Sequence, residues 1–159
     1  MNSLLLLLAA APFLTPDGYG PARIGMTQKQ VSTALGVLLK GEPIDEESTC
    51  VEKVAVGPRY PGVVFMFLDG RLSRVSIGEP SKARTPRGIG IGAGADAVRR
   101  AYGAKLQAEE HHYVGKPAEY LTYWTRPRQR GVRFETDTKR KVETIHAGND
   151  SIQYIEGCA

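Results

Sequence analysis

Three histidines and their acidic neighbours are the first residues whose types could do chemistry. His111 and His112 directly follow Glu109 and Glu110, and His146 lies in a later predicted strand. Histidine and carboxylate side chains are common zinc ligands. Adjacent histidines, however, point apart on a strand or a helix, and the charged surroundings of this pair indicate a solvated loop. The sequence therefore predicts no metal site.

A glycine-rich segment, from Gly88 to Gly94, precedes the second predicted helix. Such a segment can bring a phosphate close to backbone N–H groups. No βαβ unit precedes it, so we expect no nucleotide cofactor. The chain also lacks the Gly-x-Ser-x-Gly sequence that exposes a catalytic serine at a strand-to-helix turn. We therefore expect a binding protein without a cofactor, and not an enzyme.

Cys50 and Cys158 are the only cysteines of the chain. Two cysteines so far apart lack the paired spacing of a zinc site. In an exported chain an even cysteine count predicts a disulfide, and two free buried thiols are the alternative. For a loop of about 100 residues the chain-entropy model gives a stabilisation of up to about 4.7 kcal/mol.

An apolar run from Leu4 to Leu14 is typical of a signal-peptide core. It is shorter than the roughly 20 residues that span a bilayer, so we expect no transmembrane span. The first basic residue, Arg23, follows this run, whereas a signal usually carries its basic residue before the apolar core. A buried N-terminal helix or strand is the alternative. We predict a leader over residues 1–18 and a periplasmic or secreted protein.

Composition and charge are those of an ordinary globular protein. A chain of 159 residues fits one ordinary domain or two very small ones. The formal net charge of +4 arises from 21 basic and 17 acidic residues, which are interleaved along the chain. A charge so evenly mixed does not favour nucleic acid as a partner.

Two segments, Ile24–Gly36 and Ile91–Gly103, are similar to each other at an offset of 67 residues. Each places its apolar residues on one helical face, which predicts a short amphipathic helix. In the first segment Thr27 and Gln30 have the spacing of a capping box. A glycine ends each segment, as is common at helix C-termini. The two segments therefore predict two equivalent capped helices.

The same offset continues through the predicted strands. It aligns Glu52–Gly57 with Glu119–Trp124 and Phe65–Phe67 with Val132–Phe134. Asp69-Gly70 is a hairpin turn signal, and Ile152–Glu156 is a predicted last strand. We therefore predict an α+β fold made of two tandem copies of one helix-plus-antiparallel-sheet module, over residues 19–83 and 84–159.

The string IGMTQKQVSTALG, from Ile24 to Gly36, resembles the opening helix of the small outer-membrane-assembly lipoproteins of the SmpA/OmlA type. The doubled module resembles the β-lactamase inhibitory protein (BLIP-like) family. In that family the two copies place their sheets side by side to make a concave face. The resemblance implies a BLIP-like fold and an acidic residue on a hairpin of the first copy, for which Asp69 is the candidate.

Aromatic residues of the second copy are the candidate binding residues. In a strand over 119–124, Tyr120 and Trp124 share one face and Leu121 and Tyr123 share the other. The latter two align with valines of the first copy, so that face is the expected core. We therefore predict that Tyr120, Trp124 and Phe134 bind another protein of the cell envelope or exterior. A second layer of aromatic core is the alternative.

Three basic clusters lie in predicted linkers or turns, at Lys82/Arg84/Arg87, Arg126/Arg128/Arg130 and Lys139/Arg140/Lys141. If they converged, they would bind an anionic envelope polymer with salt-sensitive affinity. The predicted function is an exported protein-binding module, such as an inhibitor or an envelope-assembly accessory, that acts through its sheet face. The alternative is an anion- or glycan-binding envelope protein.

Overall fold

The computed structural model describes residues 11–159, so most of the predicted leader core lies outside the described residues. Two α-helices, α1 (Gln28–Leu35) and α2 (Ala95–Tyr102), stand among many more strands. A small antiparallel sheet contains β1 (Leu14–Thr15), β2 (Gly18–Tyr19) and β3 (Ala22–Arg23). The larger sheet contains β4 (Leu39–Lys40), β5 (Cys50–Ala55), β6 (Val63–Leu68), β7 (Arg71–Ile77), β8 (Gln107–Glu110), β9 (Glu119–Arg126), β10 (Arg130–Thr136) and β11 (Val142–Gly148).

The eight strands of the larger sheet pair in the order β4-β5-β6-β7-β11-β10-β9-β8, and every pairing is antiparallel. The pairing of β7 with β11 sets Ile77 opposite Ile145 and Val75 opposite Ala147. This non-local contact joins the strands from both halves of the chain into one continuous sheet.

The predicted tandem α+β fold is therefore wrong. The described chain is mostly β, and its strands share one sheet instead of forming two helix-plus-sheet modules. The offset of 67 residues also fails between β5 and β9, because it aligns Val54 with Leu121. Val54 is 37% exposed, whereas Leu121 is fully buried. Since side chains alternate between the two faces of a sheet, a one-residue error in alignment exchanges the faces.

Local capping signals account for both helices. The Thr27 side chain accepts a hydrogen bond from the Gln30 N–H, and the Gln30 side chain accepts one from the Thr27 N–H. This confirms the capping box. Gly36 and Gly103 follow the helices with φ angles of 67° and 69°, which favour glycine. The predicted helices are thus confirmed, although the predicted repeat is not.

The helices and the small sheet cover one face of the large sheet, and the main core lies between them. Val31 of α1 and Val98 of α2 are fully buried there with Phe65 and Phe134. Asp69 and Gly70 have φ angles of 48° and 76° and form the predicted β6–β7 turn. The last predicted strand, Ile152–Glu156, is absent: residues 150–153 form a 3-10 helix and the next residues form turns.

The N-terminal part of the described chain belongs to the fold. Leu14 is fully buried, and its N–H donates to the Arg84 carbonyl at 3.0 Å. A leader that ended at residue 18 would cut the β1–β2 hairpin, in which Leu14 pairs with Tyr19. In residues 11–159 no helix has the length and apolarity needed to cross a membrane.

Candidate functional site

The face of the large sheet opposite the helices carries buried polar side chains, and we call it the polar face. The strand register sets Ser76 opposite His146, and His146 opposite Arg133. Arg74 lies two residues before Ser76 and therefore on the same face. All four side chains are buried. This face thus combines hydroxyl, imidazole and guanidinium groups with little contact with solvent.

Ser76, His146 and Glu135 form a hydrogen-bonded chain on this face. The Ser76 Oγ lies 2.6 Å from His146 Nδ1, and His146 Nε2 lies 3.3 Å from Glu135 Oε1. A serine, a base and a carboxylate in such a chain can form a nucleophilic site. Catalysis of acyl transfer also needs donors for an oxyanion. Ser76 lies in β7, which pairs with β6 on one side and with β11 on the other. The backbone groups around Ser76 are therefore used by the sheet and do not serve as oxyanion donors. We interpret the hydrogen bonds among Ser76, His146 and Glu135 as a cross-strand pairing.

The electrostatics keep His146 neutral. Burial lowers the pKa of His146, and the nearby guanidinium groups of Arg74 and Arg133 lower it further. Burial opposes ionisation of Glu135, but the hydrogen bond from His146 and the nearby positive charges hold the pKa of Glu135 below its usual value. A neutral imidazole and an ionised carboxylate therefore lie side by side near neutral pH.

His111, Glu135 and Glu143 place their ligand atoms within 4.8 Å of one another, which raises the question of a metal site. The His111 Nδ1 lies 3.3 Å from the backbone nitrogens of Tyr113 and Val114 and accepts their hydrogen bonds. Its imidazole proton is then on Nε2, where it blocks the lone pair that a metal would need. The donor set does not fit a metal ion, because His111 accepts hydrogen bonds from the backbone and Glu135 accepts one from His146.

Residues 149–159 cross the polar face, and we call this segment the strap. Its start contacts β7, β10 and β11, and Arg74 Nη1 donates to the carbonyls of Ser151 at 3.1 Å and Tyr154 at 2.9 Å. Arg74 Nη2 also donates to Glu52 Oε1 at 3.1 Å. The strap ends at the disulfide between Cys50 and Cys158, whose Cα atoms are 5.4 Å apart. This confirms the predicted bridge, which fixes the strap to β5.

The three predicted binding residues do not form one surface. Phe134 is fully buried in the main core, where its ring centroid lies 5.1 Å from that of Tyr102. Tyr120 is on the polar face but only 2% exposed, stacked on His111 with a centroid distance of 4.6 Å. Trp124 shares the polar face and is partly exposed.

These positions have a clear physical reason. Tyr120 pairs with Glu135 across the strands, whereas Phe134 pairs with Leu121 on the helix side. Phe134 is therefore a core residue and leaves the candidate site. Tyr120 supports the polar face from within, because the guanidinium carbon of Arg133 lies 4.0 Å from its ring centroid. Of the three residues only Trp124 presents surface to a partner.

A groove of about 560 Å³ opens between the strap, the loop after β8 and the end of β5. We call it the C-terminal groove. It is lined by Cys50, Leu68, His112, Tyr113 and residues 153–159. Tyr113 is 61% exposed, Tyr154 44% and Ile155 42%. The Tyr113 hydroxyl donates to the Glu156 carboxylate, which links the loop to the strap across the groove.

Sequence reasoning missed these groove residues because they lie outside strands and helices. Strand periodicity directed attention to β9, while Tyr113 and Val114 are in a loop and Tyr154 and Ile155 are in turns. A usable signal was present: large apolar residues in segments that are otherwise polar or glycine-rich, next to a cysteine that was expected to be bridged.

The basic clusters are dispersed. Those around Arg128 and Arg140 lie at opposite ends of β10, about 20 Å apart at 3.4 Å per residue. Arg128 pairs with Asp150 and Arg140 pairs with Asp96. Arg87 in the third cluster stacks on Tyr102, with its guanidinium carbon 4.8 Å from the ring centroid. They do not converge on one anion site.

Comparison with known proteins yields no relative: no protein-family model, no curated protein and no solved structure matches this chain. The resemblances noted from the sequence therefore stay predictions.

Proposed function

We propose that this chain is an exported binding protein that engages another protein through the C-terminal groove. The observation that carries this proposal is the cluster of exposed large side chains, Tyr113, Tyr154 and Ile155, around a groove on the polar face. Tyrosine and aliphatic residues that stay exposed near one another are typical of protein interfaces. The expected inhibitor or envelope-assembly role is compatible with such a site.

Rigidity of the groove supports a binding role. The strap is fixed at one end by the disulfide and along its length by Arg74. Side chains that are already held in place lose less conformational entropy when a partner binds. Because disulfides persist mainly in oxidising compartments, the Cys50–Cys158 bridge also supports a periplasmic or extracellular location.

The alternative function, binding of an anionic envelope polymer or glycan, has weaker support. It requires the basic clusters to act together, and two of them lie at opposite ends of β10. Arginines in both of those clusters already pair with carboxylates of the same chain. We therefore favour the protein partner.

A quantitative pull-down from extracts of cells that naturally produce the protein tests the proposal. The baits are the wild type, the Tyr113→Ala/Tyr154→Ala double variant and a Leu38→Ser control. Leu38 is 73% exposed and contacts Val56, beyond the end of β5 that is distant from Cys50. We expect a protein that the wild type and the control retain equally and the double variant loses. Equal retention by all three baits would contradict the proposal.

A further inference from the structure

The C-terminal groove is lined by the Glu156 side chain and, within residues 11–159, by no lysine or arginine, although the whole chain is basic. A second cavity, of about 330 Å³, lies on the other side of the disulfide and shares Cys50, Glu156 and Cys158 with the groove. Glu42 and Glu52 line this second cavity, and Glu52 is paired with Arg74. No lysine or arginine lines either cavity among the described residues. In a chain with 21 basic residues this is a local excess of negative charge.

Neighbouring residues extend the acidic surface. Asp45, Glu46 and Glu47 follow Glu42 in the exposed loop between β4 and β5. Among residues 11–159 no lysine or arginine lies within ion-pair distance of Glu42 or of this loop's other carboxylates. Their charge is therefore available to a partner, and like charges held close together attract a cationic ligand.

Apolar side chains lie within the same surface. Ile44 is 64% exposed and lines the second cavity, while Tyr154 and Ile155 line the first. Gly157, with φ of 65°, lets the strap pass close over Glu52, so apolar and acidic groups meet at the disulfide. A partner that fits both features must combine positive charge with a large apolar side chain.

We propose that the C-terminal groove binds a basic segment of its partner, in which lysine or arginine residues flank an aromatic or aliphatic residue. The apolar residue contacts Tyr113, Tyr154 and Ile155, and the cationic residues face Glu42 and Glu156. This inference rests on the proposed function and specifies its partner. Charge complementarity gives the association its rate and selectivity, and the apolar contact gives it much of its affinity.

Direct binding of defined peptides tests this chemistry. The first fluorescent peptide carries lysines on both sides of a Phe-Leu pair. In the second peptide the lysines are replaced by glutamates, and in the third the Phe-Leu pair is replaced by Ser-Ser. Fluorescence anisotropy at 50 and 300 mM NaCl gives the dissociation constants. We expect the wild type to prefer the first peptide and to bind it several-fold more weakly at the higher salt.

Matched variants locate the site. Glu156→Gln and Glu42→Gln should each weaken binding of the first peptide by about two- to fivefold at low salt, as expected for an exposed ion pair. Glu79→Gln, at an exposed carboxylate beyond the end of β7 that is distant from Cys50, should leave binding unchanged. Tyr154→Ala should weaken binding at both salt concentrations, because the lost contact is apolar.

Three results would overturn the inference: no binding of the first peptide, equal binding of the glutamate peptide, or an equal effect of Glu79→Gln and Glu156→Gln. None of these results would contradict the binding role, because the pull-down depends on Tyr113 and Tyr154 and not on the charge of the partner. Conversely, if all three baits retain the same proteins in the pull-down while the first peptide still binds selectively, the proposed function fails. The groove would then bind only peptide-like ligands.

Discussion

The most unusual residues of this protein are two arginines and a neutral histidine buried in the middle of a sheet. Arg74 and Arg133 are 3% and 4% exposed, and His146 is 7% exposed. Buried charge is costly unless it is paired and hydrogen-bonded. The strap carbonyls and Glu52 accept hydrogen bonds from the terminal nitrogens of Arg74, while Glu109 and the Tyr120 ring contact the guanidinium group of Arg133. The buried Nε atoms of both arginines have no hydrogen-bond partner among the described residues. The stability of the polar face therefore depends on the strap, whose carbonyls accept hydrogen bonds from Arg74.

The sequence predicts only part of this arrangement at the residue level. Side chains alternate along Arg71–Ile77, so Arg74 and Ser76 lie on one face of the strand and the core residue Val75 lies on the other face. The same alternation is typical of a strand whose polar face meets solvent. The burial of Arg74 is caused by a strap some 80 residues later in the chain, which no local pattern can indicate.

Acid should destabilise the protein, and protonation of His146 sets the pH range in which this loss of stability begins. Its pKa in the fold is below the ordinary value of 6.5, so the unfolded chain binds more protons as the pH falls below about 6.5. We expect the free energy of unfolding, measured by urea titration, to fall between pH 7 and pH 5. Glu135, whose pKa is below 4.5, adds a loss of stability only at lower pH.

Two glutamine variants check the origin of this pH dependence. His146→Gln should reduce the slope of stability between pH 7 and pH 5, because glutamine cannot titrate. His112→Gln, in the exposed loop, should keep the wild-type slope. A His146→Gln protein with the full wild-type slope would show that another group is responsible.

Phe134 and Trp124 should differ sharply in their contribution to stability. Phe134 is fully buried beside Tyr102, so Phe134→Ala should lower the free energy of unfolding by about 3–5 kcal/mol. Trp124 is partly exposed, and Trp124→Ala should cost about half as much or less. Urea denaturation of the two variants measures both values. Equal losses would contradict the assignment of Phe134 to the core and Trp124 to the surface.

At the level of elements, the strap is the feature that converts a sheet face into a groove. It packs a 3-10 turn against three strands and then reaches β5 through the disulfide. Within the strap Ile152 is 1% exposed, whereas Tyr154 is 44% and Ile155 42% exposed. One short segment thus binds the buried Arg74 and presents the candidate binding residues.

Elements with local signals were predictable, and elements held by distant contacts were not. Caps and turn residues indicated α1, α2 and the β6–β7 turn from a few neighbouring residues. The segment over 152–156 has apolar residues at strand spacing, but its backbone is shaped by Arg74 and the disulfide. Tertiary contacts overrode its local preference.

Removal of the disulfide should weaken the whole fold. The bridge links residues 108 apart, and a native disulfide is typically worth about 2–5 kcal/mol. We expect a reductant to lower the free energy of unfolding of the wild type by this amount. The Cys50→Ser/Cys158→Ser variant should show the lower stability without reductant and no further response to it. An unchanged wild-type stability under reduction would contradict the structural role of the bridge.

At the scale of the whole molecule, one sheet organises two different faces. The helices and the small sheet cover one face with an apolar core, and the strap covers part of the other over a polar layer. The repeated helix signals suggested two modules, but the β7–β11 pairing unites the strands. That pairing brings together residues from 68 (Ile77 and Ile145) to 74 (Arg74 and Gly148) positions apart, so single-sequence periodicity could not reveal it. The one-residue error that aligned Val54 with Leu121 has the same origin.

The candidate site also emerges only at this scale. Loop residue Tyr113, strap residue Tyr154 and the Cys50 end of β5 meet because the strap crosses the polar face and is bridged to Cys50, and because its Glu156 accepts a hydrogen bond from Tyr113. The sheet order alone would keep β5 and β8 apart, since they lie near its opposite ends. The sequence correctly predicted the disulfide. The binding role stays a prediction, and the sequence directed attention to β9 instead of the groove. The alternation of residues along a strand predicts which side chains share a face. It does not predict which face another segment covers, because tertiary contacts determine that.

Site-specific photocrosslinking in the cells that produce the protein tests the central claim most directly. A benzophenone amino acid is placed at Tyr113 or Tyr154 in the groove, and at Lys29 or Leu38 as exposed controls elsewhere. Irradiation followed by mass spectrometry identifies the adducts. The account predicts one common protein adduct from both groove positions and none from the controls. Adducts of equal yield from Lys29 or Leu38, or none from the groove positions, would contradict it.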